Sequence, residues 1–286
     1  MKKELSIKTL RMPDAPATIE KGASLGNLLG EQAVDCLAWN LSLAYPRFDK
    51  ESFRAAALTG LEALGIMERG PHIAKALHRF LPNTFSKAIE VLLASLTAPL
   101  EHTEGNGLAV FFYHPHASYV AQFGLDPIHN GGKDPFVVAM KAQYELTKRF
   151  TAEYSIRPFL IQQADRTLAQ LKKWTTDRSP HVRRLCSEGT RPRLPWAPRI
   201  PSFIADPAPV LPILEALKND PSLYVRRSVA NHLGDIAKDH ADMAFSICER
   251  WLRNASDEVK WLLRHALRHP AKKGNQRALR LRAAAK

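Results

Sequence analysis

Three segments in the second half of the chain share one core: a serine, a valine three positions later, and then a basic residue. They are Ser179-Pro-His-Val182-Arg-Arg, Ser222-Leu-Tyr-Val225-Arg-Arg and Ser256-Asp-Glu-Val259-Lys. A bulky apolar residue (Trp174, Leu217 or Trp251) stands five positions before each serine, as it would at the end of a preceding helix. The valines are 43 and 34 residues apart, a period at which helix pairs stack because one pair alone cannot bury its own apolar face. The longer gap contains Arg191 to Pro212, where prolines at 192, 195, 198, 201, 207, 209 and 212 exclude a continuous helix and mark an irregular insert.

Apolar spacing supports the helix pairs. Val210, Ile213, Leu214 and Leu217 fall at i, i+3, i+4 and i+7, and Val225, Val229, Leu233 and Ile236 form a second stripe. Phe245, Cys248 and Leu252, followed by Val259, Leu262, Leu263, Ala266 and Leu267, repeat the pattern. The first half predicts helices near 27–45, 50–66, 71–81 and 84–97. A mostly irregular stretch from Glu101 to Pro135 surrounds one helix near Ser118, and another helix runs from Pro135 to Tyr154. The repeated Val-Arg-Arg resembles HEAT repeats. The expected fold is therefore all-α: a curved right-handed superhelical solenoid of HEAT-like helix pairs with a concave basic groove. The expected divisions are a flexible extension over 1–25, a helical-repeat domain over 26–270 and a basic tail over 271–286.

Charge narrows the partner class. Of 41 Lys and Arg against 28 Asp and Glu, residues 1–150 hold 16 basic and 15 acidic groups, whereas residues 151–286 hold 25 and 13. One half thus carries nearly all the field that attracts a polyanion, and nucleic acid leads a merely solvated basic surface. The longest nearly uncharged stretch, Val91 to Leu100, is too short to span a bilayer, and the N-terminus lacks an apolar export segment. Three cysteines at 36, 186 and 248 without CxxC spacing give no disulfide framework, so a reducing cytoplasm is the expected compartment. His114-Pro115-His116 with His102 and His129 is a weak metal pattern, and Gly131-Gly132-Lys133 lacks phosphate-loop spacing.

Several polar residues leave the apolar stripes. Arg227, Asn231 and Asp235 share one face after Val225, and Arg184, Glu188 and Arg191 share one after Val182. Glu188 and Asn231 both stand six residues after their repeat valine, so a regular stack sets them side by side with Asp235 one turn on. The alternative is ordinary polar contact within a solenoid, with Asp220 and Arg226 tying neighbouring repeats. Glu153 is expected to end the helix before Pro158, which restricts Arg157. Trp196, fixed between Pro195 and Pro198, either pins its loop to the core or stacks on a ligand.

Three strings carry a specific resemblance: Arg149-Phe-Thr-Ala-Glu153-Tyr154-Ser-Ile-Arg157-Pro-Phe-Leu160, then His181-Val-Arg-Arg-Leu-Cys-Ser-Glu188-Gly-Thr-Arg191-Pro-Arg-Leu-Pro-Trp196-Ala197, then Tyr224-Val-Arg-Arg-Ser-Val-Ala-Asn231-His-Leu-Gly-Asp235-Ile-Ala-Lys-Asp-His240. Together they resemble the AlkC-type bacterial DNA alkylation-repair glycosylases, relatives of the AlkD type in the HEAT-like DNA glycosylase superfamily. The likeness is strong from about Pro135 to His269 and weaker from about Gly26 to Gly132. The expected form lacks the C-terminal immunoglobulin-like domain that some members carry.

The resemblance implies a monofunctional glycosylase that releases cationic bases such as 3-methyladenine and 3-methylcytosine without base flipping. A base made positive by methylation leaves without acid assistance. The work that remains is to stabilise oxocarbenium-like charge on the sugar and to position water, and carboxylates do both. By the resemblance Glu153 and Asp235 are the acidic pair, Glu188 a third acid, and Trp196 the aromatic beside the lesion. Tyr154, where Phe is expected, Arg157 and Arg191 join the substrate wall, while Arg183, Arg184, Arg193, Arg226 and Arg227 are candidates for phosphates. Glu153, Glu188, Asp235 and Trp196 should line an open groove. The expected partner is alkylated double-stranded DNA, with no cofactor, metal, membrane or obligate protein partner, and the chain is expected to act as a monomer. The competing reading is a non-catalytic HEAT scaffold for nucleic acid or protein.

Overall fold

The computed structural model describes residues 9–19 and 21–286, and among these the chain is all-α with no strand. Among the described residues no helix is long and apolar enough to cross a membrane. The chain divides into two compact units, Met1–Ser155 and Ile156–Lys286.

The first unit holds α1 (Glu31–Ala44), α2 (Lys50–Leu58), α3 (Ile66–Phe80), α4 (Phe85–Ala94), α5 (His114–Phe123) and α6 (Phe136–Thr147). The expected helix over 50–66 stops at Leu58, because Gly60 turns the chain at φ 75°, a conformation open to glycine. α3 starts at Ile66 rather than near Pro71, since the Glu68 carboxylate accepts from the Gly65 N–H at 2.9 Å and fixes the first turn. The helix expected to reach Tyr154 ends at Thr147, where the Arg149 guanidinium donates to Glu145 O at 2.8 Å and turns the chain out. Part of the expected N-terminal extension, residues 1–8, lies outside the described residues. Further along it, Asn40 Nδ2 donates to Arg11 O at 2.8 Å, the Arg11 N–H donates to Asn40 Oδ1 at 2.7 Å, and the Arg11 guanidinium lies 3.8 Å from the centre of the Trp39 ring.

The second unit holds α7 (Arg157–Gln162), α8 (Ala164–Trp174), α9 (Pro180–Glu188), α10 (Pro201–Ala205), α11 (Leu211–Leu217), α12 (Leu223–Asp239), α13 (Ala241–Leu252), α14 (Asp257–Ala266), α15 (Arg268–Lys272) and α16 (Gln276–Ala284). The repeat is visible as three pairs, α8 with α9, α11 with α12 and α13 with α14, and the second helices stack α9 on α12 on α14. Ser179, Ser222 and Ser256 are the N-caps of those second helices. Their valines, Val182, Val225 and Val259, are buried at 2% exposure or less. α12 approaches α14 closely at Gly234, where an added Cβ would lie 3.1 Å from Ala266 O. The tail expected over 271–286 takes in the end of α15 and all of α16, with Arg277 paired to Glu249 at 2.8 Å.

Candidate functional site

The site in the second unit is built by the proline-rich insert crossing from α9 to the C-terminal end of α12. Arg191, just beyond α9, donates from Nε to Asp235 Oδ2 at 2.8 Å and from Nη1 to Glu188 Oε1 at 2.6 Å. Two residues on, Arg193 makes a bidentate pair with Asp239, both bonds at 2.7 Å. Asp239 lies about one turn beyond Asp235, so the two arginines lay the insert along the helix. Glu188 also accepts from Ser228 Oγ at 2.6 Å, and Arg184 stands 3.4 Å away. Burial alone would raise the Glu188 carboxyl, but Arg184, Arg191 and the Ser228 hydroxyl outweigh it and hold it below its ordinary value.

The structure joins Glu188, Arg191 and Asp235, but it corrects the expected exposure. Glu188 is 5% exposed and Asp235 2%, so neither faces an open groove. Both Asp235 oxygens are occupied, since Lys238 Nζ donates to Oδ1 at 2.7 Å. The expected pairing of Glu188 with Asn231 is also replaced: Glu188 meets Ser228, about one turn earlier, while Asn231 Oδ1 accepts from Arg268 at 3.0 Å and lies 3.1 Å from His265 Nε2. Residues eight apart on a helix diverge by about 80°, which is why Asp235 turns toward the preceding repeat.

Trp196 is 64% exposed and adopts φ 64°, the one non-glycine residue at positive φ among the described residues. It does not pin its loop. Leu194 and Ile200 are the buried anchors, and Arg157 supplies the polar ones. Arg157 is fully buried and donates to the carbonyls of Gly189 (3.0 Å), Arg191 (2.8 Å), Pro192 (3.4 Å) and Pro198. This corrects its assignment to the substrate wall, because its donors hold the backbone that carries Arg191 and Trp196.

Two phosphate candidates are corrected in the same way. Arg183 grips Asp220 of the next repeat with bonds of 2.6 and 2.9 Å, and Arg226 donates to Asp220 O at 2.6 Å and Pro221 O at 3.0 Å. These are ties within and between repeats. Arg184 lies over the Tyr224 ring at 5.2 Å, and Arg227 is exposed on α12.

Glu153 and Tyr154 belong to the first unit. Glu153 sits in a turn rather than at a helix end, with Thr151 Oγ1 donating to its Oε2 at 2.8 Å. Tyr154 is half-buried against the His114 ring at 5.8 Å, and burial raises its hydroxyl pKa. His114 and His116 are buried at 3% and 1% exposure and form part of a core, whereas His102 of the same sequence pattern is exposed. Sequence reasoning missed Lys238, which its i, i+3 spacing from Asp235 could have revealed.

The HEAT repeat family profile matches residues 210–240, which cover α11 and α12. An uncharacterized protein of Bacillus subtilis (strain 168), YhaZ, is 36% identical over 260 residues, spanning 91% of this chain and 68% of that protein. The solved structure of Pseudomonas fluorescens alkylpurine DNA glycosylase AlkC, bound to DNA containing an abasic site analog, is 37% identical with a TM-score of 0.78. That match covers 92% of this chain and 69% of the other.

Proposed function

The chain belongs to the AlkC family of DNA glycosylases, and we propose that it hydrolyses the N-glycosidic bond of alkylated bases in double-stranded DNA. The substrates we assign are cationic N3-methylated bases such as 3-methyladenine and 3-methylcytosine. The bond between C1′ and the base nitrogen breaks, and its electron pair neutralises the positive base, which departs. Water adds to C1′ and loses a proton, leaving an abasic site.

The observation that carries this reading is Arg191 held between two buried carboxylates of adjacent repeats. A surface built only to grip phosphates gains nothing from carboxylates placed among its arginines. A reaction that creates positive charge on a sugar gains from carboxylates fixed in advance by an arginine. On this reading Glu153 and Asp235 stabilise the sugar cation and orient water, and Glu188 sets the position of Arg191. Trp196 and Tyr154 are assigned to the lesion by the family resemblance, since a ring face attracts a cationic base. Arg184, Arg193 and Arg227 hold phosphates. The Trp196 backbone supports the assignment, since strain of about 1–2 kcal/mol spent on displaying an exposed aromatic is characteristic of functional sites.

One observation favours a second reading, a HEAT scaffold without chemistry: both oxygens of Asp235 are occupied and the carboxylate is buried. Chromatography of free bases released from randomly methylated duplex DNA separates the two. The glycosylase releases methylated bases, and Glu153→Gln abolishes that release. A folded protein that binds the duplex and releases nothing is a scaffold.

A further inference from the structure

The two cations on Asp235 are not equivalent. The Arg191 side chain is 10% exposed and is also bonded to Glu188, whereas the Lys238 side chain is 51% exposed and holds Asp235 through a single i, i+3 contact. Taking Arg191 away would break the contacts to two buried carboxylates at once, whereas Lys238 can turn its exposed ammonium to solvent while Arg191 still compensates Asp235. Lys238 is therefore the partner that can leave.

Lys238 also lines an open cleft of about 570 Å³ between the end of α12, the start of α13 and the turn joining α15 to α16. His269, Lys273 and Asn275 line the same cleft. Beside it, Arg268 donates only to neutral acceptors among the described residues, His265 O at 2.6 Å and Asn231 Oδ1 at 3.0 Å. Partial burial and the neighbouring Arg191 lower the Arg268 pKa, while burial, Arg268, Lys238 and Lys272 lower that of His269. Asp235 is shared by two cations, and Asp239 and Asp242 on the same elements are paired to Arg193 and Arg277, so these carboxylates do not neutralise the positive charge of Lys238, Arg268 and Lys273. A polyanion supplies the missing charge.

Building on the glycosylase reading, we propose that this cleft binds a backbone phosphate of DNA, and that Lys238 transfers to it from Asp235 as the duplex seats. The transfer frees Asp235 Oδ1 while Arg191 keeps the carboxylate in place. Lys238 is a positioning residue: it couples engagement of the strand to exposure of the acid. The arrangement reconciles an Asp235 that is closed in the free protein with a role that requires an open oxygen.

The test measures binding of the full chain to duplex DNA containing a stable abasic-site analogue across a series of NaCl concentrations, alongside single-turnover base release from methylated duplex. For Lys238→Ala and Lys273→Ala, the slope of log K against log[NaCl] should fall in magnitude by about 0.9 each. Lys238→Arg should restore the slope. The loss in Lys238→Ala should fall on the dissociation constant rather than on the rate at saturating DNA. Slopes unchanged in both alanine variants overturn the cleft. A saturating rate in Lys238→Ala as low as that of Asp235→Asn overturns the transfer, because Lys238 would then be holding Asp235 in the reacting complex. The salt slope decides for the cleft whether or not the wild type releases base. A wild type that binds duplex but releases no base overturns the glycosylase reading and the transfer with it.

Discussion

Arg191 Nε and Asp235 Oδ2 lie 2.8 Å apart across the junction of two repeats, with side chains 10% and 3% exposed. The bond joins the proline-rich insert to α12, and the same arginine reaches Glu188 at the end of α9. One guanidinium thus sets the position of two carboxylates from different repeats. Its rigid fork of donors suits that task better than a lysine would. Arg191→Lys should keep the charge but lose the simultaneous contact. We expect base release to fall by at least tenfold with a smaller change in affinity for abasic-site DNA, and equal losses in both would contradict this.

Trp196 separates function from stability. Its ring is exposed and its backbone holds φ 64°, so Trp196→Gly removes strain without opening a cavity. Thermal and urea unfolding should show a variant as stable as the wild type or about 1 kcal/mol more so, while release of methylated base falls. Destabilisation by more than 1 kcal/mol would mean that the ring packs its loop after all.

Arg183 and Arg193 should behave differently although each makes two hydrogen bonds to one aspartate. Arg183 pairs with an Asp220 side chain only 3% exposed, so Arg183→Ala should cost on the order of 3 kcal/mol in urea unfolding and leave the salt dependence of DNA binding unaltered. The Arg193 pair with Asp239 is more exposed, at 26% and 23%. Arg193→Ala should therefore cost little stability and lower the salt slope by about 0.9. The opposite pattern in the two slopes would reverse the assignments.

Buried histidines set an acid limit. Burial pushes His114 and His232 down to about 4 and His116 to about 3, from an ordinary 6.5. Below pH 6.5 the unfolded chain takes up protons at these positions while the folded chain stays neutral. Their contribution is therefore fully present above pH 6.5 and is lost as pH falls toward 4. The slope approaches about 1.4 kcal/mol per pH unit for each histidine. Urea unfolding at pH 7 and pH 5 should show the loss, and equal stability at both would contradict it.

The repeat, the three serine N-caps and the helix-ending Trp174 and Leu217 were legible because they rest on local spacing: a cap, a stripe and a period. The insert was legible because proline cannot continue a helix. What the sequence left hidden depends on contacts between distant positions. The burial of Arg157 follows from four carbonyls more than thirty residues away. The turn of Asp235 toward Arg191 follows from the drift of the helix over two turns, so the same face at Arg227 and Asn231 meets other partners. Arginine is the least readable residue here, because Arg157, Arg183 and Arg193 share one residue type and differ only in what the fold brings to them.

The most direct test of the account compares wild type and Asp235→Asn in single-turnover release of methylated bases from duplex DNA, with binding to abasic-site duplex measured in parallel. Asparagine keeps the size of the side chain and an oxygen for Arg191 while removing the charge. The account predicts release by the wild type, loss of release by at least a hundredfold in the variant, and binding within a few-fold of wild type. Release by Asp235→Asn at the wild-type rate would contradict it and reduce the carboxylate to a tie between two repeats.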